Sequence, residues 1–309
     1  MTLEEWEQSR TRCMFSGLRD VEVGDDAEVG LDNGFSLVRP NEHLLLARDR
    51  LSMTGTEFAD GASVSRYLVY KHEQPAPGRT FEEIHKDIKA IFQCGLMALQ
   101  VLKPVRTLGI VFYSDYTSAG KFQRIERRPP MEPGPWALRR SFDQALLEMV
   151  PSTIESIQRI MKGPSAERRN AFHLLQLGLE HFHPLIAGLL WVMGLEAIFD
   201  SRNRVEFKEK LCERLGPSTR VFPDWSAQQP NYTVGDIAAH LYTLRSKVAH
   251  GVDLRKAACD RKCPVDLLGM RTSRNPSESL PYALLLSEAA CYLLCQVLRK
   301  EIASPADGQ

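Results

Sequence analysis

The 309-residue chain is 43% hydrophobic and 25% charged, and its 39 Lys and Arg balance 39 Asp and Glu, so the formal net charge at pH 7 is zero. That composition excludes disorder on a large scale, and the zero balance excludes a molecule-wide field that would draw in nucleic acid or anionic membrane. Any nucleic-acid surface must therefore be local.

The amino-terminal run "MTLEEWEQSRTRCMF" is charged from its start and lacks the apolar core of a secretory signal, so a cytoplasmic location is expected. The first ~75 residues carry Gly, Asp and Asn clusters and short alternations, which predict strands and turns. Asn33-Gly34, between "EVGL" and "FSLV", predicts a hairpin. "SVSRYLVYKHE" adds a β-branched and aromatic strand. From Thr80 the period becomes helical, with Phe81, Ile84, Ile88, Ile91, Phe92, Leu96, Leu99 and Leu102 recurring until Pro104. "RTLGIVFYSDY" reads as a further strand, and "RRPPMEPGPW" as a stiff connector, since prolines exclude regular structure there.

Beyond the connector the patterning is helical. "SFDQALLEMVPSTIESIQRIMK" predicts one or two helices around Pro151, and "AERRNAFHLLQLGLEHFHPLIAGLLWVMGLEAIF" predicts two more. "RVEFKEKLCERLG" predicts a helix stopped by Gly216-Pro217. Residues 236–250 place Ile237, Leu241, Leu244 and Val248 on one face, behind a capping box formed by Thr233 and Asp236. Residues 281–302 predict a long closing helix. The fold class is thus α+β but mostly α, with a small α+β region over 1–135 and an all-α bundle over 136–309. The longest apolar passages are interrupted by Glu196, Ser287 and Glu288 and fall short of the ~18 to 20 residues of a membrane span, so no membrane partner is expected.

Seven cysteines without an export signal predict reduced thiols. Cys259 with Cys263 and Cys291 with Cys295 share a C-x3-C spacing that four-thiolate zinc binding would need to adapt, whereas cysteine in an apolar helical run behaves as a small hydrophobe. The second reading is adopted, and neither a metal site nor a cofactor is expected. His181 and His183 point to different helix faces, and His240 is read as a surface or core residue.

"LYTLRSKVAHG" over 241–251 carries the chemistry. Arg245 and His250 lie about 140° apart on a regular helix, so they form no simple one-turn pair. Gly251 suits a helix terminator, which would place His250 in the last turn near the negative end of the macrodipole. A guanidinium can grip phosphate oxygens and offset developing charge, and an imidazole can move a proton. RNA supplies its own nucleophile in the 2′-hydroxyl. The plainer readings are a C-capping histidine and a solvated arginine whose stem covers apolar surface. From Arg245 to Arg274 eight Lys or Arg face three Asp, a local basic patch of the kind that backbone recognition uses.

"LYTLRSKVAHG" resembles the R-x4-6-H signature of the HEPN superfamily, and in its Apea-like branch the flanking Tyr242, Ser246 and Gly251 find counterparts. "LLWVMGLEAIFDSRNRVEFKEKLCERLGP" is similar to the two helices that precede the signature in that branch, and the resemblance covers residues ~165–302. It implies a HEPN-like C-terminal bundle and a metal-independent endoribonuclease that works as a homodimer, in toxin, anti-phage or other defence systems. Arg245 and His250 would then be catalytic, with Ser246 as the supporting polar residue. From the residues themselves, Glu196 is a charge in an apolar run that is expected to face Arg245 or His250 across the bundle, the plainer reading being an edge-of-core carboxylate paired elsewhere. Tyr242, three positions before Arg245, is expected to stack on RNA or hold Arg245, the plainer reading being core packing. Lys247, Arg255, Lys256, Arg261 and Lys262 would contact RNA. A two-fold interface would supply the second proton-handling histidine. The partners it implies are RNA, a second copy and a regulatory or antitoxin protein. The alternative is a HEPN module that binds RNA or protein without cleaving.

Overall fold

The computed structural model describes residues 12–19, 21–39, 64–72, 81–115, 121–127, 140–181, 183–222, 232–250 and 276–303. It shows a mostly helical chain with a small N-terminal sheet region and a C-terminal helical region. The described residues fall into two compact units, one ending at Lys162 and the other starting at Gly163.

The first unit is built on β1 (Arg12–Arg19), β2 (Val21–Val23), β3 (Glu28–Gly30), β4 (Phe35–Val38), β5 (Val64–His72), α1 (Phe81–Leu102), β6 (Arg106–Asp115), β7 (Lys121–Arg127), β8 (Arg140–Phe142) and α2 (Gln144–Lys162). Six strands form an antiparallel sheet in the order β3-β4-β5-β1-β6-β7. The expected hairpin is present, with Glu28 opposite Val38 and Gly30 opposite Ser36. Its loop has three residues, Asp32, Asn33 and Gly34, closed by Leu31 N donating to the Phe35 carbonyl at 2.9 Å. Asp32 and Asn33 both have positive φ, and position 34 calls for glycine because its φ is 81° and a Cβ there would meet the Lys71 carbonyl at 2.5 Å.

Helix α1 follows its sequence pattern and buries Ile88, Phe92, Leu96, Leu99 and Leu102. Pro151 does not divide the next segment: α2 runs unbroken through it. The buried stripe Leu147, Val150, Ile154 and Ile157 keeps helical phase on both sides of the proline, so packing against α1 outweighs the lost backbone donor. That packing, with the parallel pairing of β2 and β8, draws residues 140–162 into the first unit. The break therefore falls later than the proline-rich boundary read from the sequence at 135/136. Prolines mark where regular structure stops, whereas buried contacts determine which unit a helix joins.

The second unit contains α3 (Ala166–Glu180), α4 (Pro184–Phe199), α5 (Arg204–Leu215), α6 (Val234–Ala249) and α7 (Pro276–Ala303). The Ser165 hydroxyl caps α3 by accepting from Arg168 N, and His183 with Pro184 starts α4. Trp191 of α4 is buried against α3, where its Nε1 donates to the Leu175 carbonyl at 3.2 Å. Gly194 lets α7 approach: a Cβ there would meet Leu294 at 2.8 Å. Asn203 caps α5 through two backbone donors at 3.0 Å, and Gly216 ends that helix at φ 92°.

The expected capping box opens α6, with Asp236 Oδ2 accepting from Thr233 N at 2.9 Å and from its hydroxyl at 2.6 Å. Main-chain bonds from Val234 N to Thr219 O and from Gly235 N to Pro217 O, both 2.9 Å, fasten the same end. Cys291 and Cys295 lie buried within α7 as small apolar side chains, while Cys259 and Cys263 lie outside the described residues. Buried Glu301 of α7 pairs with Arg168 of α3 at 3.0 Å and with Arg214 of α5. This charge cluster ties three helices together at one end of the unit. No helix among the described residues is long and apolar enough to cross a membrane.

Candidate functional site

Glu196 is the only charged residue of α4, and its run is otherwise apolar. A carboxylate in that setting needs a cation, and α6 brings one: Arg245 Nε lies 2.9 Å from Glu196 Oε2. Burial pushes the Glu196 carboxyl above the usual carboxylate range, and Arg245 beside it offsets the shift only in part. The guanidinium of Arg245 also lies 5.8 Å from the centre of the Tyr242 ring, one helical turn back. The pair and the ring hold the arginine from two sides.

Tyr242 is itself positioned by α5. Its ring meets Phe207 at 5.7 Å, Phe207 meets Phe199 at 6.2 Å, and its hydroxyl donates to the Arg202 carbonyl at 3.4 Å. Lys210 completes this arrangement by donating to the Phe199 and Asp200 carbonyls at 2.7 and 3.3 Å, where α4 has run out of backbone donors. Phe207 and Lys210 were not singled out from the sequence. The signal was present in Lys210, which also pairs with Glu206 one turn earlier at 2.8 Å.

Of the expected site residues, Glu196, Tyr242 and Arg245 come together. Ser246 is half-buried beside Arg245, and its carbonyl accepts from His250 N at 3.0 Å. His250 is the C-cap of α6 and its residue is exposed, so the helix ends where the sequence placed the end. The two named catalytic side chains do not meet. Arg245 turns to Glu196, and among the described residues no hydrogen bond or ion pair joins His250 to Arg245 or Glu196. Lys247 sits half-buried in the last turn. Arg255, Lys256, Arg261 and Lys262, the rest of the expected RNA contact, lie outside the described residues, as does Gly251.

Chemically, the Arg245 geometry leaves work for the guanidinium to do. Nε is committed to Glu196, and neither terminal nitrogen bonds a described residue. An arginine fixed by its inner nitrogen presents its outer donors to an anion without first losing side-chain freedom. His250 offers a solvent-reached imidazole on the same helix, the residue type best suited to proton transfer near neutral pH. No group of three or more metal-ligating side chains lies among the described residues.

No family model matches the chain, and no curated protein or solved structure matches it.

Proposed function

We propose that the chain is a HEPN-type, metal-independent endoribonuclease that works as a homodimer, in the cytoplasm, within a defence or stress response. The 2′-hydroxyl of RNA attacks the adjacent phosphorus as a histidine takes its proton, the P–O5′ bond breaks, and a second proton donor protonates the departing 5′-oxygen. The products are a 2′,3′-cyclic phosphate and a 5′-hydroxyl. Arg245 holds the non-bridging oxygens and offsets charge in the transition state. The His250 residues of two chains provide the two proton-transfer groups, with Ser246, Tyr242 and Glu196 in support. Lys247, Arg255, Lys256, Arg261 and Lys262 contact the RNA backbone, and a regulatory or antitoxin protein restrains the dimer.

One observation carries this reading: Arg245 is anchored through Nε with its outer nitrogens uncommitted, on the helix that ends at an exposed histidine. A second reading draws on the same ion pair. An Arg–Glu bridge between α4 and α6 also suits a HEPN module that binds RNA or protein without cleaving, because it fixes two helices whether or not chemistry follows.

Incubation of the purified chain with mixed RNA in EDTA separates them. The nuclease reading expects cleavage with cyclic-phosphate ends that His250→Ala abolishes. Equal cleavage by wild type and variant, or cleavage by neither, removes it. RNA retained without cleavage supports the binding module.

A further inference from the structure

An arginine and a carboxylate that serve only to join two helices commonly close as a two-point fork, with both oxygens on the guanidinium. The Glu196–Arg245 pair is closed at one point. Oε2 accepts from Nε at 2.9 Å, and neither Oε1 nor a terminal nitrogen of Arg245 bonds a described residue. Oε1 is not one of the buried polar atoms that lack a partner, so solvent reaches it. Oε1 and the terminal nitrogens each lie within two bonds of the contact, so the pair offers an acceptor oxygen close to a donor nitrogen where α4 meets α6. That combination suits a ribose phosphate. In a near-attack arrangement the 2′-oxygen stands about 3–3.5 Å from phosphorus, and the non-bridging oxygens are bonded to that same atom. A guanidinium that grips them through a terminal nitrogen therefore brings the 2′-hydroxyl towards the neighbouring carboxylate. Burial raises the Glu196 carboxyl, which strengthens the carboxylate as a base, and Arg245, the only charged group among the described residues that shifts it, opposes the rise. His250 bonds neither member of the pair.

We propose that Glu196 is the general base of the cleavage: Oε1 takes the 2′-hydroxyl proton as the 2′-oxygen bonds to phosphorus, and His250 gives its proton to the departing 5′-oxygen as the P–O5′ bond breaks. The carboxyl is left protonated and the imidazole neutral, and proton exchange with water resets both. The proposal rests on the endoribonuclease reading above, and it moves the proton-acceptor role from a second histidine to a carboxylate of α4.

The two roles separate on an RNA cleaved by the wild type and remade with sulfur in place of the 5′-bridging oxygen at the cleaved linkage, because a thiolate departs without a proton. Both RNAs are cleaved in EDTA across a range of pH, with circular dichroism monitoring the fold. Glu196→Gln keeps an amide oxygen for Arg245 Nε but cannot take the proton. It should lose roughly 100-fold or more in kcat on both RNAs with KM little changed, and its residual rate should no longer rise with pH. His250→Ala should lose as much on ordinary RNA, recover most of the wild-type rate on the sulfur RNA, and keep there a rate that rises with pH as Glu196 ionises. His250 is exposed, so that variant decides if Glu196→Gln fails to fold. Equal loss by His250→Ala on both RNAs, or cleavage by Glu196→Gln as fast as by wild type, overturns the assignment of Glu196 and leaves the nuclease. A wild type that leaves ordinary RNA intact removes both.

Discussion

Glu196 Oε2 lies 2.9 Å from Arg245 Nε, so a carboxylate of α4 sets the direction of the guanidinium on α6. The contact is made through the inner nitrogen, a geometry that lysine cannot reproduce. Under the proposed nuclease activity, Arg245→Lys and Arg245→Ala should therefore both abolish RNA cleavage, with lysine giving little rescue. Arg245→Ala should also cost roughly 1–3 kcal/mol of stability, because a largely buried carboxylate loses its partner. Single-turnover cleavage and urea unfolding measure the two effects. Full cleavage by Arg245→Lys would remove the directional role.

The pH dependence of Glu196 runs opposite to that of an ordinary salt-bridged acid. Its folded-state pKa is raised by burial, so its contribution to stability is fully present below the unfolded value and is lost as pH rises through the folded one. Glu196→Gln lacks this loss. The stability of wild type relative to Glu196→Gln should fall as pH rises across that window, measured by urea unfolding at several pH values. A relative stability that rises with pH would show that the Arg245 attraction outweighs burial.

Asp236 behaves the other way. The Thr233 side chain and backbone donors hold its carboxyl below the usual range, so the capping box stabilises above the unfolded pKa and is lost as pH falls through the folded one. Asp236→Ala should cost about 1 kcal/mol at neutral pH, and the difference from wild type should vanish in acid. Thermal unfolding across pH reads this directly.

Glu301 stands between Arg168 and Arg214 with 7% of its side chain exposed. Its removal leaves two cations without their shared carboxylate. Glu301→Ala should destabilise the helical unit by about 2–3 kcal/mol, below the value for fully buried pairs because both arginines are partly solvated. Arg168→Ala should cost less, since Arg214 remains paired. Comparable losses in the two variants would indicate that Arg168 carries most of the interaction.

Gly178 is a close contact between α3 and α4, because a Cβ there would occupy the space of the Trp191 indole. Gly178→Ala should displace that ring, disrupt its bond to the Leu175 carbonyl and cost roughly 1–3 kcal/mol. Tryptophan fluorescence should report a more polar surrounding. An unchanged spectrum and melting curve would mean that the helices separate without penalty.

Local rules were the most legible part of the sequence. The hairpin, the cap at Thr233 and Asp236, and the end of α6 at His250 depend on residues within a few positions of one another. Glu196 was legible for a different reason: one charge in an apolar run requires a partner, and Arg245 was among the few named cations. The unbroken α2 was not legible at Pro151, because its support comes from packing on α1. The parallel pairing of Val21–Val23 with Arg140–Phe142 joins segments far apart in the chain, and neither triplet carries a strong strand pattern. Phe207 was hidden because an aromatic residue that orients Tyr242 looks, in sequence, like any other buried apolar position.

The N-terminal fastening of α6 makes the helix a beam clamped at its root. Sixteen residues give it a reach of about 24 Å, and a tilt of some 5° at Thr219 or Pro217 would swing the far tip by about 2 Å. Beyond the buried Leu241 and Leu244, Arg245 braced by Glu196 is the last support, and His250 overhangs it by about 7.5 Å. Misplacement by about 1 Å can cost a reaction roughly 100-fold in rate. Substitutions in the Gly216–Phe222 turn, remote along the helix from the histidine, should therefore act on the tip as mechanical faults, with the Glu196 brace setting how far they travel.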